Sequence, residues 1–207
     1  ISNLEHAKNL EAYAREIQES QEKFERLFMD NPEAAVCLGP DFHILDANPR
    51  FTEFFGYSLD EIKGKHIDDV VVQKDKIEEA KMLNEKARKG YVYHDTLRKR
   101  KDGTLVPVSI SAAPITVGGK IIGHVGVYRD ISERRRFEER LSALNTYSRR
   151  LNTAENMAEI YRLTLDAMEK TLGFENAAFM VVDKDMLRVA DQHGFPEPHL
   201  RLKLPLN

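Results

Sequence analysis

The hydrophobic period changes repeatedly along this chain, and the changes mark its elements. Residues 1–27 place Leu4, Leu10, Ile17, Phe24 and Leu27 among Glu, Lys, Gln and Ala, a helical spacing. Leu10, Ile17 and Phe24 stand seven apart, but Ser20 and Gln21 interrupt the second row. Two readings stand: a coiled-coil seam, or one amphipathic helix packed on the next domain. Asn31-Pro32 stops the helix. Two short apolar runs follow, residues 34–38 and 43–47, around the turn residues Gly39-Pro40-Asp41, and they predict strands. Asn48-Pro49 then opens a helix ending at Gly56. Ser58-Leu59-Asp60-Glu61 is a capping box for a short helix closed by Gly64. Residues 74–89 predict a longer helix with Ile77, Ala80, Leu83, Asn84 and Ala87 on one face and Gly90 at its end.

From Tyr91 the period becomes two. Residues 91–101, 104–115 and 121–129 predict three long strands joined by turns at Asp102-Gly103 and Gly118-Gly119-Lys120. Pro107, with no N–H, belongs where no partner strand needs a donor. Then Tyr128-Arg129-Asp130-Ile131-Ser132-Glu133 hands the chain from strand to helix. Asp130 or Ser132 can accept from the first free N–H groups, Glu133 adds favourable negative charge, and Asp130-x-x-Glu133 fits an Asp form of the capping box. Beyond it Phe137, Leu141, Leu144, Ser148 and Leu151 repeat at four and three, predicting a helix to about residue 151 with a coiled-coil seam. Such a helix is a rod of about 30 Å. Thr153 can cap a further helix through Leu172, with Ile160, Leu163, Thr164, Ala167 and Met168 on one side. Residues 176–183 and 186–192 predict two strands joined at Lys184-Asp185.

The fold class predicted is α+β, with one antiparallel sheet preceded by several helices. The chain has 207 residues, 42% hydrophobic and 31% charged, and a net charge of −3, which makes no case for nucleic acid or an anionic membrane. No apolar run reaches membrane-spanning length. The single cysteine, Cys37, excludes an intrachain disulfide and fits a reducing compartment, so a cytoplasmic location is expected. The chain begins at Ile1 and ends at Asn207 in an apolar/basic alternation, and an excerpt of a longer protein is expected. The basic runs Arg98-Lys99-Arg100-Lys101 and Arg134-Arg135-Arg136 lack interleaved aromatics and read as a solvated hairpin tip and a salt-bridged helix flank. There is no phosphate-cradling glycine loop, metal-ligand spacing or nucleophile with an evident base, so no catalytic residue and no metal are expected.

Residues 24–132 resemble a PAS sensor domain. The resemblance rests on Asp46-Ala47-Asn48-Pro49-Arg50-Phe51, on residues 55–64 (FGYSLDEIKG), on Arg100-Lys101-Asp102-Gly103, and on Tyr128-Arg129-Asp130-Ile131-Ser132-Glu133. Residues 153–207 resemble the first part of a GAF domain, through helix-strand-strand order and Gln192-His193-Gly194-Phe195. The organisation expected is an N-terminal helix over 1–23, a PAS domain over 24–131, a coiled-coil signalling helix over 132–152 and the start of a GAF domain over 153–207. The tandem resembles the input region of sensor histidine kinases.

The resemblance implies a five-stranded antiparallel sheet with helices on one face enclosing a small pocket. Its other face would be covered by the N-terminal helix or a dimer partner. It places Ile122, His124 and Tyr128 on one side of the last strand, with Val125 and Val127 on the other. It implies that His94, Thr96, Val108, Ile110, Ala112, His124, Gly126 and Tyr128 face the pocket from the strands. Phe51, Phe54, Ile67, Ile77, Ala80 and Leu83 face it from the helices. Two readings of that pocket stay open: a site for a small-molecule ligand, or a core filled by side chains with hydrogen-bonded tips. Haem is not expected, because residues 74–89 contain no axial His and His66 reads as a polar loop residue. A flavin photoadduct is not expected either, because Cys37 falls on a predicted strand and reads as a small buried apolar residue. The junction Asp130, Ile131, Ser132 and Glu133 would relay a signal, Phe137, Leu141, Leu144 and Leu151 would form the seam of a parallel homodimer, and a kinase would act downstream. The alternatives are a ligand-free dimerisation spacer, or the input region of a transcription regulator or a cyclic-dinucleotide enzyme.

Overall fold

The computed structural model describes residues 2–195 and 203–205. Ile1, residues 196–202 and residues 206 and 207 lie outside the described residues, as do the corresponding ends of the segments expected over 1–23 and 153–207 and most of the terminal alternation. The chain divides into two compact units, Ile1–Ser132 and Glu133–Asn207.

The first unit begins with α1 (Ser2–Met29). Strands β1 (Ala34–Leu38) and β2 (Ile44–Ala47) follow, then helices α2 (Pro49–Phe55), α3 (Leu59–Ile62), α4 (Ile67–Val71) and α5 (Ile77–Lys89). A 3-10 turn at Lys74–Lys76 leads into α5, and β3 (Val92–Lys99), β4 (Leu105–Val117) and β5 (Lys120–Asp130) complete the unit. The five strands form one antiparallel sheet in the order β2-β1-β5-β4-β3. The last strand therefore lies in the middle, between β1 and β4. The α+β architecture agrees with the sequence pattern. Helix α4 was not foreseen; its five residues are too short to show a helical period, and its N-cap is His66, whose ring nitrogen accepts the Asp68 N–H.

Helices α2 to α5 lie on one face of the sheet. Phe42, Ile44, Phe51, Phe55, Ile62, Val70, Val71, Ala80, Leu83 and Ala87 pack against the inward side chains of β1, β3, β4 and β5 in one core. In α2 the sequence sets both ends. Asn48 caps it, Pro49 occupies the first turn, and Gly56 closes it at φ 78°, a left-handed conformation costly for any residue with a Cβ. Gly123 is needed for another reason: a Cβ there would lie 2.4 Å from the Leu38 carbonyl oxygen, so only glycine lets β5 approach the end of β1 so closely.

Four expectations are corrected in this unit. Helix α1 does not bury its apolar stripe on the next domain: Leu10, Tyr13, Ile17, Phe24 and Leu27 are all 59–67% exposed. Its last turn is half-buried at Phe28 and Met29. Arg98 is not part of a solvated tip. It alternates with Thr96 and Val92 on the inward side of β3 and is 2% exposed. Cys37 and Ile122 also sit elsewhere than expected. Cys37 is half-buried on the outer sheet face, and Ile122, near the β4–β5 turn beyond the register shift at Ile115/Thr116, is half exposed.

In the second unit, α6 (Ser132–Asn152) starts at the unit boundary and is followed by α7 (Met157–Leu172). Strands β6 (Ala177–Asp183), β7 (Met186–His193) and β8 (Lys203–Pro205) form an antiparallel sheet in that order. The cap of α7 is Asn156, which accepts the Glu159 N–H. Thr153 instead turns its hydroxyl back to the carbonyls of Arg149 and Arg150 and closes α6. Leu163 and Leu165 are the buried leucines of α7, while Leu172 is exposed; Tyr161 stacks on Phe179 at 4.4 Å.

Candidate functional site

Two features of the first unit carry chemistry: a polar interior beneath α5 and the strand-to-helix junction at Asp130. The interior cavity has a volume of about 40 Å³. That is room for about one water, well below the several hundred Å³ of a small-molecule pocket. Leu83, Ile110, Ala112, His124, Gly126 and Tyr128 line it, together with Ile67 and Ala80. The structure places the other expected residues outside the lining. Val108 is wholly buried in the core, Thr96 gives its hydroxyl to Glu79, and Phe51 packs against Phe55 and Tyr128. Phe54 lies edge-on to Phe55 with the Arg100 guanidinium over its ring, and His94 is partly exposed, 3.9 Å from the Glu79 carboxylate. Ile77 is 39% exposed and lines an outer groove with His66, Lys81 and Asn84, because the buried stripe of α5 begins only at Ala80.

Sequence reasoning placed His124 and Tyr128 in the lining and Asn84 on the buried face of its helix, but missed Asp68 and Arg98. Asp68, Asn84 and Arg98 lie beside His124 and Tyr128. Asn84 Nδ2 donates to Asp68 Oδ2 at 2.8 Å. Arg98 donates to Glu79 Oε1 at 3.2 Å, to Thr96 Oγ1 at 3.3 Å and to the Leu97 carbonyl at 2.9 Å. Burial alone would raise the Glu79 carboxyl, but hydrogen bonds from Lys76, Thr96 and Arg98 outweigh it and hold the group at about 2. Burial pushes Asp68 above the usual carboxylate range against the pull of His66, Asn84 and Arg98. Burial likewise pushes the Tyr128 hydroxyl up to about 12, so it stays protonated and able to donate. The signal for Arg98 was the strand parity itself; a run of four basic residues obscured it. Asp68 had no such signal, since α4 is too short to read.

His124 is 1% exposed and stacks on Phe42 with ring centroids 4.3 Å apart. Its Nδ1 lies 3.3 Å from the Gly39 carbonyl, and its Nε2 has no hydrogen-bond partner among the described residues.

At the junction, Tyr128 is buried against Phe51 and Phe55, with centroids 5.7 and 5.3 Å away. Two residues on, Asp130 Oδ1 accepts the Ser132 N–H at 2.8 Å. Ile131 between them is buried and gives its N–H to the Pro107 carbonyl at 3.1 Å. The proline carbonyl thus serves as an acceptor although its nitrogen cannot donate. Glu133 lies in the first turn of α6. Asp130 and Ser132 thus close an Asx turn around the buried Ile131. Along α6, Phe137, Leu141 and Leu144 are exposed and Leu151 is half-buried.

On the outer sheet face, Phe24, Leu27 and Phe28 of α1 border a groove of about 330 Å³ with Cys37, Ile115, Val125 and Val127. Burial, and then the nearby Asp46 carboxylate, push the Cys37 thiol above its ordinary range, which makes it a poor nucleophile. Among the described residues no group of His, Cys, Asp and Glu is arranged to hold a metal, and no helix is long and apolar enough to cross a membrane.

This sheet order, with helices on one face and the last strand in the centre, is that of a PAS domain, and residues 32–133 match the PAS domain family model. This segment of the chain belongs to that family. Among solved structures, the PAS domain of a protein from Colwellia psychrerythraea is similar at a TM-score of 0.50 and 20% identity, over 55% of this chain and 98% of that one. The chain is 29% identical over 143 residues to two-component system protein A of Emericella nidulans, covering 67% of this chain and 21% of that protein. It is 27% identical over 125 residues to sensor protein TdiS of Thauera aromatica, covering 58% and 22%. The chain spans about a fifth of the length of each of these relatives.

Proposed function

We propose that this chain is the sensory input region of a signal-transduction protein, whose parent is a two-component sensor histidine kinase acting in the cytoplasm. The observation that carries the reading is the junction: the Asp130 turn that starts α6 stands only two positions beyond buried Tyr128. A change at the sheet or its interior shifts β5, and the Asp130 contact passes the shift to the helix. Only two packings separated by a few kcal/mol are needed. The relatives named as a two-component system protein and a sensor protein support the same reading. In this proposal the chain works as a parallel homodimer seamed at Phe137, Leu141, Leu144 and Leu151, without haem or flavin. Its last segment is the start of a GAF domain, supported by the order α7-β6-β7. The test is Asp130→Ala in the full-length parent. Loss of signal-dependent output with the domain still folded is the expected result; unchanged output would overturn the relay.

A second reading is favoured by the cavity volume of about 40 Å³: a ligand-free dimerisation spacer. Thermal melts against a metabolite panel separate the two, because a pocket ligand raises stability by mass action. A concentration-dependent rise favours the sensor with a ligand, and a flat panel favours the spacer.

A further inference from the structure

Asn48 is fully buried and uses both ends of its side-chain amide. Its Oδ1 accepts the N–H groups of Ala35 and Phe51, each at 2.9 Å. Its Nδ2 faces three carbonyls: Glu33 at 2.9 Å, Phe28 at 3.2 Å and Asn31 at 3.3 Å. Phe28 belongs to the last turn of α1, and Asn31 and Glu33 belong to the link into β1. Capping α2 explains the acceptor, and Ser, Thr or Asp would serve that purpose as well. Capping does not explain the donor. An amide nitrogen with two hydrogens is what three converging carbonyls require, and among short side chains only Asn joins it to an acceptor.

The rest of α1 sharpens the point. Its apolar stripe is exposed from Leu10 to Leu27, and the half-buried part is the turn that Asn48 holds. Three residues beyond Asn48, Phe51 meets Tyr128, and Tyr128 stands two residues before Asp130. We propose that Asn48 is a positioning residue that fastens the end of α1 to the core, so that a displacement of α1 is carried through Phe51 and Tyr128 to the Ile131–Asp130 turn. The inference rests on the relay reading of that turn and adds an entrance to it that does not pass through the interior cavity.

The test is amide exchange by NMR on the 207-residue chain, comparing the native protein with Asn48→Asp. The aspartate keeps the oxygen that caps α2 and loses the donor. Exchange at Asp30 and Asn31, whose N–H groups bond to the Arg26 and Phe28 carbonyls, should quicken on the order of tenfold or more. Ile131, bonded to the Pro107 carbonyl, should quicken as well, while amides in α5 remain as in the native protein. Three outcomes overturn the proposal: no change at Asp30 and Asn31, a change there without one at Ile131, or a uniform rise over the whole unit. Asn48→Ser, neutral and with a capping oxygen, gives the same comparison if the new carboxylate prevents folding. Failure here leaves the Asp130→Ala signalling test untouched, so the two readings fall separately.

Discussion

Asp130 reaches the first residue of α6 through its side chain, its Oδ1 accepting the Ser132 N–H at 2.8 Å. The contact is local, two residues along the chain, and exposed. Its loss should therefore cost little, about 1 kcal/mol, in line with other side chains that satisfy a helix's first N–H groups. Asp130→Ala is expected to lower the melting temperature by a few degrees and to speed amide exchange at Ser132, with the core amides unchanged. Asp130→Asn keeps an acceptor oxygen and should restore most of the difference. A loss of several kcal/mol in chemical denaturation would make Asp130 a general stability residue and remove its special place at the junction.

Arg98 and Glu79 form an ion pair largely removed from solvent, with side chains 3% and 19% exposed. The Glu79 carboxyl is held at about 2, below its ordinary 4.5. A depressed carboxyl contributes stability that is complete above 4.5 and is lost as the pH falls toward 2. The integrated effect is at most about 3 kcal/mol. Asp68, raised by burial, works in the opposite sense and loses its contribution as pH rises. Glu79→Gln should destabilise the domain at pH 7 by about 3 kcal/mol, because it leaves the Arg98 charge buried without its partner. It should also flatten the decline in stability between pH 5 and 2. Urea titrations across that range check both, and an acid slope identical to the native one would contradict the assignment.

The strands, the turns and the caps at Asn48 and Ser58 were legible because each rests on local chemistry: period two, glycine at a turn, an oxygen before a helix. The junction at Asp130 was legible in the same way, as a change of period with an acceptor before the new helix, whereas the five-stranded antiparallel sheet followed from the resemblance of the segment to a known family and its strand order was not read. What was not legible depends on contacts distant in sequence. Arg98 reads as one of four basic residues until β3 is placed beside β4 and its parity turns the side chain inward toward Glu79, nineteen residues away. Asn48 reads as a helix cap, and its three carbonyl acceptors belong to a segment that ends before β1. The exposure of the α1 stripe is likewise tertiary: an amphipathic pattern gives the face that is apolar and says nothing of what covers it.

His124 offers a test of what the interior is for. Its Nε2 is buried without a partner among the described residues, while its ring stacks on Phe42. The Gly39 carbonyl that faces Nδ1 also accepts the Phe42 N–H at 3.1 Å, so it stays satisfied if the imidazole is lost. His124→Phe keeps the stack and removes an unpaired polar atom. If side chains alone fill the core, the change should be neutral or stabilising, within about 1 kcal/mol. If Nε2 serves a bound ligand, the same variant should abolish any ligand-dependent rise in melting temperature. Differential scanning fluorimetry of the two proteins, with and without the metabolite panel, reads both outcomes.

The exposed stripe of α1 bears on the proposed homodimer. Leu10, Ile17 and Phe24 stand seven apart, with Tyr13 and Leu27 three residues after the first and third, and all five are 59–67% exposed. That is the a and d pattern of a two-stranded coiled coil, broken at Ser20. Its end borders the outer-sheet groove at Phe24 and Leu27, so α1 and the sheet can contribute to one surface. Ile17→Glu puts a charge in the middle of the stripe while retaining a good helix former, and α1 makes no core contact at that position to lose. Sedimentation velocity should show the native chain as a dimer at micromolar concentration and the variant shifted toward monomer, with the far-ultraviolet circular dichroism and melting temperature of the core preserved. If the variant stays as dimeric as the native chain, α1 adds nothing to the proposed α6 seam, and Leu141→Glu on α6 becomes the informative substitution. If both variants remain dimeric, neither stripe holds the two copies together.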